Sequence, residues 1–208
     1  MLGTRRRSHI VIPIAGVILA MLAGCAAPDP SPSASSTSTP SVTPSPTAEA
    51  TAEPLTIPDC ETLLPLADAQ ALFSANTEFF GEFAAVQFGV DGVPEAATAL
   101  AGASLWRFCG WGVPSSDGAF TLLVAEIAPD DRAALEAALT GAGFGAVTMG
   151  TVTGYDAERE GEVSTLADTL LFTGEVMIVC NGTSLDLTGA VTGSALDALR
   201  TANPTLGL

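Results

Sequence analysis

Lysine is absent from this 208-residue chain, and histidine occurs once, at His9. Basic side chains come down to seven arginines against 23 acids. These shortages exclude whole classes of chemistry. Without lysine there is no Schiff-base nucleophile and no ammonium to follow a glycine loop onto a phosphate. Beyond His9 no Ser-His-Asp or Cys-His pair can form. The cysteines, Cys25, Cys60, Cys109 and Cys180, show no Cys-x-x-Cys spacing, which removes the usual zinc and dithiol motifs. A formal charge of −16 with no basic cluster after Arg7 repels nucleic-acid phosphates and anionic headgroups. No nucleic-acid partner, metal or cofactor is expected, and among common catalytic strategies only carboxylate chemistry survives.

Long apolar runs are also scarce. The one that approaches membrane length, "HIVIPIAGVILAMLAG", follows Arg5, Arg6 and Arg7 and is interrupted by Pro13 and Gly16. A spanning helix needs about 20 apolar residues. A cationic start, a short apolar core and small residues at its end read as a secretory signal. Leu22-Ala23-Gly24-Cys25 then resembles the lipobox of bacterial lipoproteins. That resemblance implies cleavage after Gly24, diacylglycerylation of the Cys25 thiol and a mature chain beginning at Cys25. The expected address is the outer face of the bacterial cytoplasmic membrane. Residues 1–24 are accordingly assigned to a signal peptide. Removing it leaves four arginines against 23 acids, a formal −19, and no histidine.

Residues 26–58 hold eight prolines among Ser, Thr and Ala, with Asp29, Glu49 and Glu53 as the only charges. Such a tract buries too little apolar surface to offset ordering entropy. Its 33 residues reach at most about 110 Å extended and roughly 35 Å as a coil. Residues 25–58 therefore read as a lipidated tether, and 59–208 as one extracytoplasmic domain.

Within the domain, "DCETLLPLADAQALF" predicts a helix over 59–73 with Pro65 in its first turn, and "VPEAATALAGA" a short one over 93–103. "SLWRFCGWGV" and "AFTLLVAEI" read as a hairpin turning at 114–118. "PDDRAALEAALTGAG" predicts a helix capped by Asp130 and stopped at Gly141 or Gly143. "GAVTMGTVTGYDAERE" and "TLLFTGEVMIVCN" supply further strands, the second folded at Thr173-Gly174. "SALDALRTANP" predicts a last helix capped by Ser194. The expected fold is α+β: one domain, an antiparallel sheet of about five strands, helices packed mainly on one face, and a single disulfide. "CETLLPLADAQALF" with the later "FCGW" is similar to small extracytoplasmic lipoprotein domains of unknown function in actinobacteria. That likeness supports an envelope address and a disulfide, and implies no catalytic residue.

With Cys25 assigned to lipid, three cysteines remain for an oxidising compartment, which means one pair and one free thiol. Cys60, at the domain's start, favours pairing with Cys109 in the sheet, and pairings with Cys180 stay open. Cys180 follows "VMIV" and reads as a buried inert thiol; a redox-sensing role lacks a nearby cation to lower its pKa. Asp156, Glu158, Glu160 and Glu162 alternate along one strand face, open to a cation or a basic partner but matching no calcium loop; such a row is more often a solvated edge. Trp106, Trp111 and Tyr155 are candidates for a ligand cleft, although the tryptophans have opposite strand parity. Asn181-Gly182-Thr183 reads as a turn rather than a glycosylation site. Glu126 and Glu175 are the two acids inside apolar strand-like runs.

Three functions fit these residues. The first is a non-catalytic, membrane-anchored lipoprotein that binds a small ligand or an envelope protein. The second is a carboxylate-based hydrolase of wall glycans using Glu126 and Glu175. The third is a redox module using Cys180.

Overall fold

The computed structural model of this chain describes residues 53–84, 88–161 and 164–208. The lipobox tetrad with Cys25, the tether up to residue 52 and Glu162 of the acidic row lie outside the described residues. The first helix breaks where proline dictates. α1 (Cys60–Leu63) is capped by Asp59, whose carboxylate accepts from the Thr62 amide at 2.8 Å. α2 (Leu66–Leu72) restarts after Pro65, which has no N–H to continue a ladder but suits a helix entry. So the single helix expected over 59–73 is two. The disulfide joins Cys60 to Cys109, with Cα atoms 5.7 Å apart, and Cys180 is a free, buried thiol.

The strand count differs from the expectation. β1 (Glu78–Glu82), β2 (Leu105–Gly112), β3 (Ala119–Glu126), β4 (Gly145–Met149), β5 (Val152–Glu160), β6 (Thr165–Thr173) and β7 (Val176–Gly182) make one seven-stranded sheet, where about five were expected. β1, "EFFGE", is a short edge strand with acids at both ends, a pattern easily taken for loop. β4 and β5 were hidden in one segment, which doubles back at Gly150 (φ +62°), a left-handed position that glycine adopts without strain. The order β1-β2-β3-β7-β6-β5-β4 is antiparallel throughout. From β3 the chain crosses through α4 (Pro129–Gly141) to the far edge and then walks back until β7 pairs with β3.

That path puts helices on both faces, correcting the expected one-sided packing. On one face Leu122, Val124, Leu171, Ile178 and Cys180 pack with α1, α2 and α5 (Leu185–Ala202). On the other, Leu123, Ala125, Leu170, Phe172 and Val179 pack with α4 and α3 (Pro94–Ala101). The signal was in the sequence: "LLVA", "LLF" and "MIVC" are continuous apolar runs, as strands buried on both faces require, rather than alternating ones.

Two helix starts also move. α4 opens on Pro129 with Ala128 in the capping position, so Asp130 is not the cap; Asp130 and Asp131 sit in the first turn, at the positive end of the dipole. α5 is capped not by Ser194 but by Ser184, whose hydroxyl accepts from the Leu187 amide at 3.3 Å. Its glycines and threonines are weak helix formers, and burial of Leu187, Val191, Ala195 and Leu199 at helical spacing holds it. Thr192 returns its hydroxyl to the Thr188 carbonyl at 2.9 Å, while the Thr188 and Thr169 hydroxyls bond at 2.7 Å, so the polar atoms facing β6 are satisfied.

Candidate functional site

Where α3 and α4 stop, that face of the sheet ends in polar side chains. Register places Thr121 of β3 beside Asn181 of β7, and Asn181 beside Asp168 of β6. Arg159 of β5 reaches across from a diagonal position. The four form one network. Thr121 donates to Asn181 Oδ1 at 3.2 Å, Asn181 Nδ2 donates to Asp168 Oδ1 at 2.6 Å, and Arg159 Nη1 donates to Asp168 Oδ2. Asp168 is only 2% exposed. A carboxylate buried to that degree needs a charged partner and hydrogen bonds to offset its desolvation, and this one has both. Arg159 Nε lies 3.4 Å from Asp91, which stands at the surface.

This network floors an open recess of about 330 Å³, with Asp91 and Asp117 at its lips and Leu166 on its wall. Three aspartates against Arg159 leave it formally at −2. Elsewhere in the described chain the other three arginines are also engaged, Arg107 with Glu82, Arg132 with Glu136 and Arg200 with Asp197. An anion arriving at the recess would meet a guanidinium already neutralised; a cation would meet surplus carboxylate.

Of the residues singled out from sequence, the structure gathers few. Trp111 is fully buried, stacked on Phe120 at 5.6 Å under the α5 face, while Trp106 and Tyr155 pack on the opposite face with β3, β7 and β6 between them. They share no cleft. Asp156 still pairs with Gly145 of β4, while Glu158 and Glu160 lie beyond that pairing and line an open edge, so the row shares no single environment. Among the described residues no three ligating side chains converge on a metal position. Glu126 and Glu175 do meet, around an open recess of about 330 Å³ beside Ser104, whose hydroxyl bonds Glu126. Glu175 is exposed at the β6–β7 turn, whereas a general acid in glycoside hydrolysis sits in an apolar pocket. Cys180 is buried, and burial pushes its thiol well above its ordinary pKa, with nearby Asp168 adding to the rise. Asn181 and Gly182 end β7 instead of forming a turn.

Sequence reasoning passed over Asp168. Its signal was a lone acid inside "TLADTLLF", where a carboxylate needs a partner to be buried. No family model, curated protein or solved structure matches this chain.

Proposed function

We propose that the chain is a non-catalytic binding lipoprotein. Cys25 would anchor it to the outer face of the cytoplasmic membrane, and the recess over Asp168 would receive a positively charged group of a small ligand or an envelope protein. The observation that carries the binding assignment is the recess's surplus of negative charge, backed by a buried and fully bonded carboxylate. The Cys60–Cys109 bond supports the address, since structural disulfides persist in oxidising compartments.

Fractionation tests the anchor. The wild-type chain should partition with membranes, and Cys25→Ser should not be lipidated or processed. A mature Cys25→Ser protein with its signal removed and still in the membrane fraction would refute it. For the recess, titration with a primary alkylammonium should shift the amide resonances of Asn181, Gly182 and Thr183, and added salt should weaken the response. Equal response to a carboxylate of the same length would refute the charge argument.

A further inference from the structure

Composition assigns everything up to Pro58 to the tether, yet the fold takes hold of the chain earlier. Ile57 is buried and Leu55 packs against the α5 face. Just past the end of α5, Asn203 is 6% exposed and turns its amide on Thr56. Its Oδ1 accepts from the Thr56 amide and its Nδ2 donates to the Thr56 carbonyl, each at 2.8 Å. The same Nδ2 donates to the Leu199 carbonyl at 2.8 Å, tying the grip to the last turn of the helix. Beside it the Thr205 hydroxyl donates to Glu53 at 2.7 Å. A carboxamide matches a peptide's N–H and C=O as a neighbouring strand would, so one side chain satisfies both backbone groups of Thr56.

The recess lies at the other end of the same helix. Asn181, Gly182 and Thr183 line it and lead directly into Ser184, the cap of α5. The helix's 18 residues separate the two ends by about 27 Å.

We propose that Glu53–Ile57 form a strap buckled by Asn203, which makes the chain leave the fold at the C-terminal end of α5, opposite the recess. This rests on the anchored reading only for its consequence, that the point where the tether joins the described fold lies at the end of α5 away from the recess. Opening the buckle frees Glu53–Asp59 and adds at most about 24 Å to the tether. Release stops there, because Cys60 is bonded to Cys109.

Amide hydrogen exchange on the oxidised full chain tests the strap. The wild-type Thr56 amide should be protected. Asn203→Ala should speed its exchange about tenfold, the scale of one lost hydrogen bond, and should open protease sites before Cys60 but not beyond it. Asn203→Asp keeps the acceptor for the Thr56 amide but turns a carboxylate oxygen on the Thr56 and Leu199 carbonyls, so its exchange should also be faster than in the wild type. An unprotected Thr56 in the wild type, or one indifferent to both substitutions, would overturn the strap. If Asn203→Ala proved unfolded, wild-type protection and the Asn203→Asp variant would decide the matter. Spin labels at Pro54→Cys and Thr183→Cys in a chain that also carries Cys25→Ser and Cys180→Ala should lie at least about 25 Å apart; a separation under about 15 Å would overturn the opposite-ends arrangement. None of these readouts depends on lipidation of Cys25.

Discussion

On the face covered by α1, α2 and α5, the two ends of the described fold come together where Thr56 meets Asn203, and the same face holds the bond that pins Cys60, near the start, to Cys109 in β2. On the face covered by α3 and α4, the helices come from the middle of the chain, and the polar recess over Asp168 lies past their ends. Closing contacts between distant residues costs loop entropy. The molecule accordingly places its one covalent link and its buckle on the end-joining face. The other face relies on packing and keeps polar groups at its open end, where a ligand can reach them.

Removing the staple is expected to have the largest effect. A Cys60→Ser, Cys109→Ser chain should lose about 4 kcal/mol in the chain-entropy model for a loop of sequence separation 49, read from urea unfolding. A loss below about 1 kcal/mol would mean that packing alone closes that face. On the opposite face, Asp168→Ala strips Arg159 and Asn181 of their shared acceptor and should cost about 2 kcal/mol, below the full value for a buried pair because Arg159 is partly solvated. Asp168→Asn should cost less. If Asp168→Ala were neutral, the recess floor would hold no structure and the contrast between the faces would fail.

A smaller effect belongs to Cys180. Its folded thiol is raised, so the neutral form favours the native state and the contribution is complete below the unfolded value. As pH climbs past about 8.5, the unfolded thiol ionises first and stability falls. Cys180→Ala should be less stable at neutral pH and should lack that alkaline decline in a melting series. Smallest of all is the cap of α1. The Thr62 hydrogen bonds hold Asp59 below its ordinary value, so its contribution is present above the usual carboxylate range and is lost as pH falls through the folded value. The acid limb of the melting profile should be shallower in Asp59→Ala than in the wild type.

Much of the fold was legible because local chemistry agreed with the final structure. The β2–β3 hairpin turns at "PSSDG", the β6–β7 hairpin turns at Gly174 (φ +57°), and α3 opens on Pro94, all where the residues place them. β1 and the β4–β5 reversal were missed because their apolar content is low and edge strands bury little. The start of α5 was missed because glycine and threonine hide a helix that only burial stabilises. The recess was illegible for a related reason. Thr121, Arg159, Asp168 and Asn181 lie on four strands, and nothing local marks them as neighbours.

By itself the sequence determined the mixed α and β content and favoured Cys60 with Cys109 while leaving pairings with Cys180 open, because these depend on short-range periodicity and position along the chain; the fold made the pairing. Only the tertiary structure decided that both sheet faces are covered, that Glu126 and Glu175 share a recess while Trp106, Trp111 and Tyr155 do not, and that Asp168 lies at the centre of a buried network. Each of those depends on strand order. A sheet that runs inward from β1 to β3 and then inward again from the far edge, β4 to β7, sets side by side residues that the chain keeps dozens of positions apart.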